Sequence, residues 1–235
     1  MSHGSVISEE IARFDALASQ WWDETGPMRP LHMMNPPRAQ WVAQRVRRFL
    51  GAGVPILDVG CGAGLLSEAL AKEGFAVTGL DAGAEVIDIA RAHAQGQGLN
   101  LTYRHGTAEA LVAEGAKFPV ITALEIIEHV ADPAAFLASL RALLAPNGLL
   151  FLSTLNRTPK SYLVAKIGAE YILRLLPVGT HDWQKFIKPE ELGRLCRDVG
   201  LSLCETSGLS YTPLRQGFEI SRDLSVNYLA LARAD

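Results

Sequence analysis

A chain of 235 residues and 25.4 kDa has room for one ordinary domain with insertions, and is long enough to bury a core without disulfide or metal staples. Its 49% hydrophobic and 20% charged residues exclude the disordered and fibrous classes. A formal charge of −3 argues against a general nucleic-acid binder, so no nucleic-acid partner is expected.

Residues 8–20, SEEIARFDALASQ, are predicted helical, with Ser8 as N-cap and Glu9 and Glu10 at the positive end of the dipole. Ile11, Phe14, Leu17 and Ala18 fall on one face of that helix. A loop with four prolines, DETGPMRPLHMMNPP, follows, and a second helix is expected from about Arg38, giving an N-terminal helical cap over 8–48.

From residue 54 short apolar runs alternate with helical patterns. VPILDVG, FAVTGLD, LNLTYRH, FPVITAL and LLFLSTL read as strands; LLSEALAKEG, GAEVIDIARAHAQ and DPAAFLASLRALLAPNG read as helices. The rhythm breaks over about 156–188, where a long insertion replaces a short connection. A helix in PEELGRLCRDVG then resumes it, and LSLCETSG and SVNYLALARA end the chain as strands with no helix between. The expected fold is α/β: a Rossmann-like, mostly parallel seven-stranded sheet in one domain, helices on both faces, the last strand antiparallel in a hairpin at the sheet edge.

ILDVGCGAG at 56–64 is the strongest local signal, because glycines 60, 62 and 64 sit where a strand turns into a helix and let backbone approach a ligand. Asp81 ends the second strand 21 residues after Gly60, placed to accept from ribose hydroxyls. The dinucleotide fingerprint requires a third glycine where Leu65 stands, and no Gly-Lys-Ser/Thr follows for a P-loop. Gly-x-Gly-x-Gly with Asp58 two residues before Gly60 is the pattern of the Rossmann-like S-adenosylmethionine-dependent methyltransferases.

FDALASQWWD (14–23), PLHMMNPPR (30–38), EIIEHV (125–130), STLNRTPKS (153–161), GAEYILRLLPVGTHDWQKFIKPEEL (168–192) and VNY (226–228) resemble the ubiquinone-biosynthesis O-methyltransferases over nearly the whole chain. That resemblance implies methylation of a catechol hydroxyl on polyprenylated ubiquinone precursors, with S-adenosylmethionine as cofactor. It also implies cofactor contacts at Arg38, Gly60, Asp81 and Leu124, with Arg38 meeting the methionine carboxylate. Two positions depart from the pattern: Thr107 stands where many methyltransferases carry an acid for the adenine amine, and Pro119 where the family often has Asp.

The stretch ALEIIEHV packs Glu125, Glu128 and His129 behind the fourth strand. A phenol with a pKa near 10 is ionised in roughly one molecule per thousand at pH 7, so its proton must be removed or its anion stabilised. His129 is a candidate general base. On a helix, Glu125, Glu128 and His129 would span about 100° and face one divalent cation such as Mg²⁺, which the resemblance also implies. Ordinary loop residues are the remaining reading, and the three stay open.

Residues 157–188 hold six basic side chains (Arg157, Lys160, Lys166, Arg174, Lys185, Lys188) against Glu170 and Asp182. Tyr162, Leu163, Ile167, Tyr171 and Leu175 recur among them at near-helical spacing, which reads as a basic amphipathic helix on an anionic membrane surface or as a lid on the active site. Cys61, Cys196 and Cys204 have no paired spacing and read as free thiols of a reducing compartment. With no secretion signal and no apolar run of about 18 residues, the expected location is cytoplasmic, peripheral to the membrane. Competing readings are another small-molecule methyltransferase, an NAD-dependent oxidoreductase, or a non-catalytic cofactor-binding scaffold in a complex with other ubiquinone-synthesis proteins.

Overall fold

A computed structural model describes residues 7–164, 183–213 and 216–234. In chain order it contains α1 (Ser8–Asp15), α2 (Arg29–Leu50), β1 (Pro55–Val59), α3 (Leu65–Lys72), β2 (Ala76–Asp81), α4 (Ala84–Ala94), β3 (Leu101–His105), α5 (Ala108–Ala113) and β4 (Phe118–Leu124). There follow α6 (Pro133–Leu143), β5 (Leu144–Leu155), the single turn α7 (Pro159–Ser161), α8 (Pro189–Asp198), β6 (Leu201–Thr212), β7 (Gly217–Ser221) and β8 (Asn227–Ala234).

The strands form one sheet in the order β3-β2-β1-β4-β5-β8-β6-β7. The first five are parallel, and β8 runs antiparallel to both of its neighbours, β5 and β6. The sheet therefore has eight strands rather than seven. β7 is the addition, paired antiparallel to β6, and the expected edge hairpin is corrected too: β8 lies inside the sheet. An apolar β8 (NYLALARA) belongs there, since its backbone is paired and its side chains covered on both sides.

Period-two alternation divides each central strand between two cores. Leu57, Ile121 and Leu150 face α6 and α8 through Leu137, Leu140 and Leu192. Their neighbours Ile56, Val120, Leu149 and Phe151 face α2 and α3 through Trp41, Val42, Val46, Leu66 and Leu70. Each of these fully buried side chains contributes on the order of 1.5–3 kcal/mol relative to exposure. Pro119 coincides with a register shift between Phe118 and Val120, where a missing N–H costs least.

Two N-terminal expectations are corrected. Ile7, not Ser8, is the N-cap of α1, and the helix stops at Asp15 before a separate 3₁₀ turn at Ala18–Gln20. The second helix begins at Arg29 and runs through Pro36 and Pro37, which the local sequence reads as a loop. Interior prolines cost about 3 kcal/mol or more, and the burial of Met34, Trp41, Val42 and Val46 along one face offsets that cost. Asp132 caps α6, its carboxylate accepting from Ala134 N at 2.9 Å and Ala135 N at 3.1 Å.

The expected amphipathic helix falls largely on 165–182, outside the described residues. At its described start Tyr162, Leu163 and Val164 are 40%, 59% and 49% exposed. Of its cations, Lys160 pairs with Asp223 at 2.6 Å and Arg157 with Glu191. No helix among the described residues is long and apolar enough to cross a membrane. Cys61, Cys196 and Cys204 are all free thiols, the first two buried.

Candidate functional site

A cavity of about 170 Å³ opens at the carboxyl ends of β1, β2 and β4, where parallel sheets place their ligands. Arg38, Asp58, Gly60, Gly62, Asp81, Leu124, Glu125 and His129 all line it, and Glu128 does not. The fold thus brings together all but one of the candidate residues.

The floor of the cavity is the β1–α3 turn. Gly60 and Gly62 have φ of 71° and 53°, and a Cβ on either would overlap Ile126 or the Trp21 ring. Only glycine allows both that backbone and those neighbours. Asp81 ties this turn to the end of β2: its Oδ2 accepts from Gly62 N at 2.8 Å and its Oδ1 from Gly83 N at 2.9 Å. Burial raises the Asp81 carboxyl above its ordinary value, and the two N–H donors oppose that shift. Each oxygen keeps a lone pair for a further donor.

Asp58 lies beneath, with Oδ2 accepting from Ser67 Oγ at 2.6 Å and Oδ1 from Thr122 Oγ1 at 2.7 Å. Burial raises its pKa, offset by the two hydroxyls and by Arg38. Arg38 is 5% exposed, reached through α2, with Nε donating to Asn35 Oδ1 at 3.2 Å while Asn35 Nδ2 donates to Leu65 O at 2.7 Å. Burial lowers its pKa against the opposing pull of Glu125 and Asp58. No carboxylate among the described residues forms an ion pair with this guanidinium.

The stretch after β4 is irregular, which corrects the helical placement of the three acid/base residues. Glu125 has φ of 55°, and only Ile127–His129 form a 3₁₀ turn. The Glu125 carboxylate is held by two donors: Ser153 Oγ at 2.6 Å to Oε1, and Asn227 Nδ2 at 3.1 and 3.2 Å to the two oxygens. Glu128, 5% exposed, accepts from Thr154 Oγ1 at 2.9 Å, and burial with the neighbouring Glu125 raises its pKa to about 8. His129 turns the other way, with Nδ1 3.0 Å from Glu10 Oε2 on α1. Among the described residues no three His, Cys, Asp or Glu side chains are grouped to hold a metal ion. The expected convergence fails because a left-handed residue at 125 breaks the 100° stepping that it required.

Local sequence reading missed the roof. Ile7, Glu10, Ile11 and Phe14 of the α1 region, with Trp21 beyond it, close the cavity from above. Phe14 packs edge-on against His129 at 5.4 Å between centroids, and Asp15 Oδ1 accepts from Val86 N at 3.2 Å, pinning α1 to α4. The apolar face Ile11–Phe14 was a visible signal, but its partner was not. Thr107 serves as a cap, accepting from Ala110 N at 3.3 Å, while Glu109 two residues on lines the cavity.

A methyltransferase-domain family model matches residues 35–206. The ubiquinone biosynthesis O-methyltransferase of Azotobacter vinelandii is 49% identical, covering 96% of each chain. Those of Coxiella burnetii (46% identical, covering 98% of this chain and 97% of that one) and Dinoroseobacter shibae (46%, covering 96% and 95%) are similar throughout. Among solved structures, magnesium protoporphyrin IX methyltransferase from Synechocystis, with bound SAH, superposes with a TM-score of 0.65 at 19% identity, covering 95% of this chain and 94% of that one. That likeness shows the S-adenosylmethionine-dependent methyltransferase fold. By near full-length identity of this order, the chain belongs to the ubiquinone biosynthesis O-methyltransferase family.

Proposed function

We propose that this methyltransferase acts on a catechol hydroxyl of a polyprenylated ubiquinone precursor. The observation that carries the catalytic part is the Glu10–His129 pair at the cavity wall. The cavity suits S-adenosylmethionine: the Gly60–Gly62 cradle is a surface that a Cβ would fill, Asp81 offers acceptors for ribose hydroxyls, and Arg38 offers a buried cation for the methionine carboxylate. When bound, that cofactor supplies an electrophilic methyl group.

The chain's own residues then have two tasks, positioning and proton removal. Burial holds His129 below its ordinary 6.5, so the imidazole is neutral at pH 7 and able to accept a proton. A carboxylate at Nδ1 favours the tautomer protonated there and leaves Nε2 as the acceptor for a substrate hydroxyl. Glu10 then stabilises the imidazolium once the proton has moved, as the buried carboxylate does in hydrolase triads.

The Mg²⁺ reading of Glu125, Glu128 and His129 does not fit this arrangement, since Glu125 is held by Ser153 and Asn227 and His129 by Glu10. Exposed Tyr162, Leu163 and Val164 support contact with an anionic membrane through 157–188, the source of a polyprenyl substrate.

Product analysis with a short-chain demethyl-quinol analogue and S-adenosylmethionine tests the whole reading, run with and without chelator. A methyl ether formed equally in both arms is expected. Loss of turnover in chelator would reinstate the metal, and cofactor binding without turnover would make the protein a scaffold.

A further inference from the structure

The four tryptophans of this chain are not equivalent. Trp22 Nε1 donates to Ala63 O, Trp41 Nε1 to Ser207 Oγ and Trp183 Nε1 to Thr158 O, each at 3.1 Å. Trp21, only 6% exposed, has no hydrogen-bond partner for its Nε1 among the described residues. An indole N–H is donor-only and buried ones are normally satisfied, so an orphaned one in a ring that lines a cavity points to an acceptor that a ligand supplies.

The Trp21 ring is firmly placed. It packs on Gly62 where a Cβ would otherwise stand, lies 6.1 Å from the Phe14 ring, and clusters with Ala63, Leu65 and Val86. Its backbone carbonyl is 2.8 Å from His32 Nε2. Leu65 links it to the Arg38 side of the cavity, because the Leu65 carbonyl anchors Asn35, which in turn holds Arg38 Nε. Trp21 and Arg38 line the same cavity, one with an unanswered N–H and the other a buried cation without an ion pair among the described residues. A cation beside a neutral donor in a buried wall is a receptor for a carboxylate.

We infer that the Trp21 indole N–H donates to the methionine carboxylate of the bound cofactor, beside Arg38. This assignment rests on the proposed S-adenosylmethionine site. Trp21 belongs to the strap between α1 and α2, so the carboxylate would tie that strap to the β1–α3 turn. A rigid ring loses little freedom on binding, which makes the contact selective for a cofactor that retains its amino-acid tail.

Titration calorimetry on wild type and Trp21→Phe, with S-adenosylhomocysteine and with its decarboxylated analogue S-adenosyl-3-thiopropylamine, tests the inference. Trp21→Phe removes the donor and also trims the part of the indole that packs on Gly62, a change common to both ligands. A roughly tenfold or greater loss of S-adenosylhomocysteine affinity is expected, the scale of one hydrogen bond to a charged group, with the decarboxylated analogue changed less than about twofold. Equal losses for both ligands, or none for either, would overturn the assignment. Tryptophan-labelled wild-type protein gives a second reading free of any folding defect in the variant. One indole N–H resonance, otherwise unpaired, should move downfield with S-adenosylhomocysteine and not with the decarboxylated analogue; identical shifts with both would also overturn it. Wild-type protein that binds neither ligand would instead refute the cofactor site itself.

Discussion

Glu10 Oε2 lies 3.0 Å from His129 Nδ1, joining the first helix to the turn that follows the fourth strand. The contact spans 119 residues and brings a carboxylate from the roof onto the candidate base. Burial lowers the His129 pKa; Glu10 and then Glu125 hold it up, and Arg13 pushes it down. The acid limb of kcat/KM is therefore expected below pH 6.5, with full activity above it. Glu10→Gln removes the main raising influence, so the limb should move further to acid while the rate falls roughly tenfold. His129→Gln should lower kcat by about 10² or more. A pH–rate profile that does not move in Glu10→Gln would separate the pair from catalysis.

Asp81 holds two backbone N–H groups and faces the cavity. Asp81→Ala should raise the Kd for S-adenosylhomocysteine by roughly ten- to a hundredfold, on the scale of hydrogen bonds to a charged group. Calorimetry at pH 7 measures this, and an unchanged Kd would exclude Asp81 from the ligand site.

Glu128 gives a pH-dependent stability of defined sign. Its folded pKa of about 8 exceeds the ordinary 4.5, so the stability of its neutral buried form is present below pH 4.5 and lost as pH rises through about 8. Glu128→Gln keeps an acceptor for Thr154 and never ionises. The variant should gain on wild type between pH 5 and pH 8 by on the order of a few kcal/mol, measured by urea melts at both values. Parallel stability profiles would contradict the shift.

Leu163 and Val164 stand exposed at the start of the insertion. Leu163→Glu/Val164→Glu should reduce co-sedimentation with anionic vesicles severalfold while S-adenosylhomocysteine binding is retained, since neither residue lines the cavity. Undiminished sedimentation would remove the membrane role from this patch.

The parallel sheet and its glycine turn were legible because their signals are local: apolar runs of strand length, a Gly-x-Gly-x-Gly turn, and an acid closing the next strand. Other features depend on partners far along the chain. Pro36 and Pro37 break a helix by local rules, and only the burial of Trp41, Val42 and Val46 against the sheet overrides them. Strand β7 is short and pairs on one side only, so GFEIS carries little apolar pattern to announce it. Glu125 was legible as a site residue, but its direction was set by Ser153 and Asn227, 28 and 102 residues away.

The position of β8 between β5 and β6 fixes when the site can be completed. Asn227, which opens β8, is made after every strand of the parallel half, yet it grips the carboxylate of Glu125. Domains otherwise gather from the amino terminus as they are made. The parallel half of the sheet and its glycine turn precede β8 in synthesis, while the Glu125 side of the cavity waits for β8 to enter its slot. A chain that lacked β8 would therefore keep the residues of the glycine turn but lose the donor that sets the direction of Glu125.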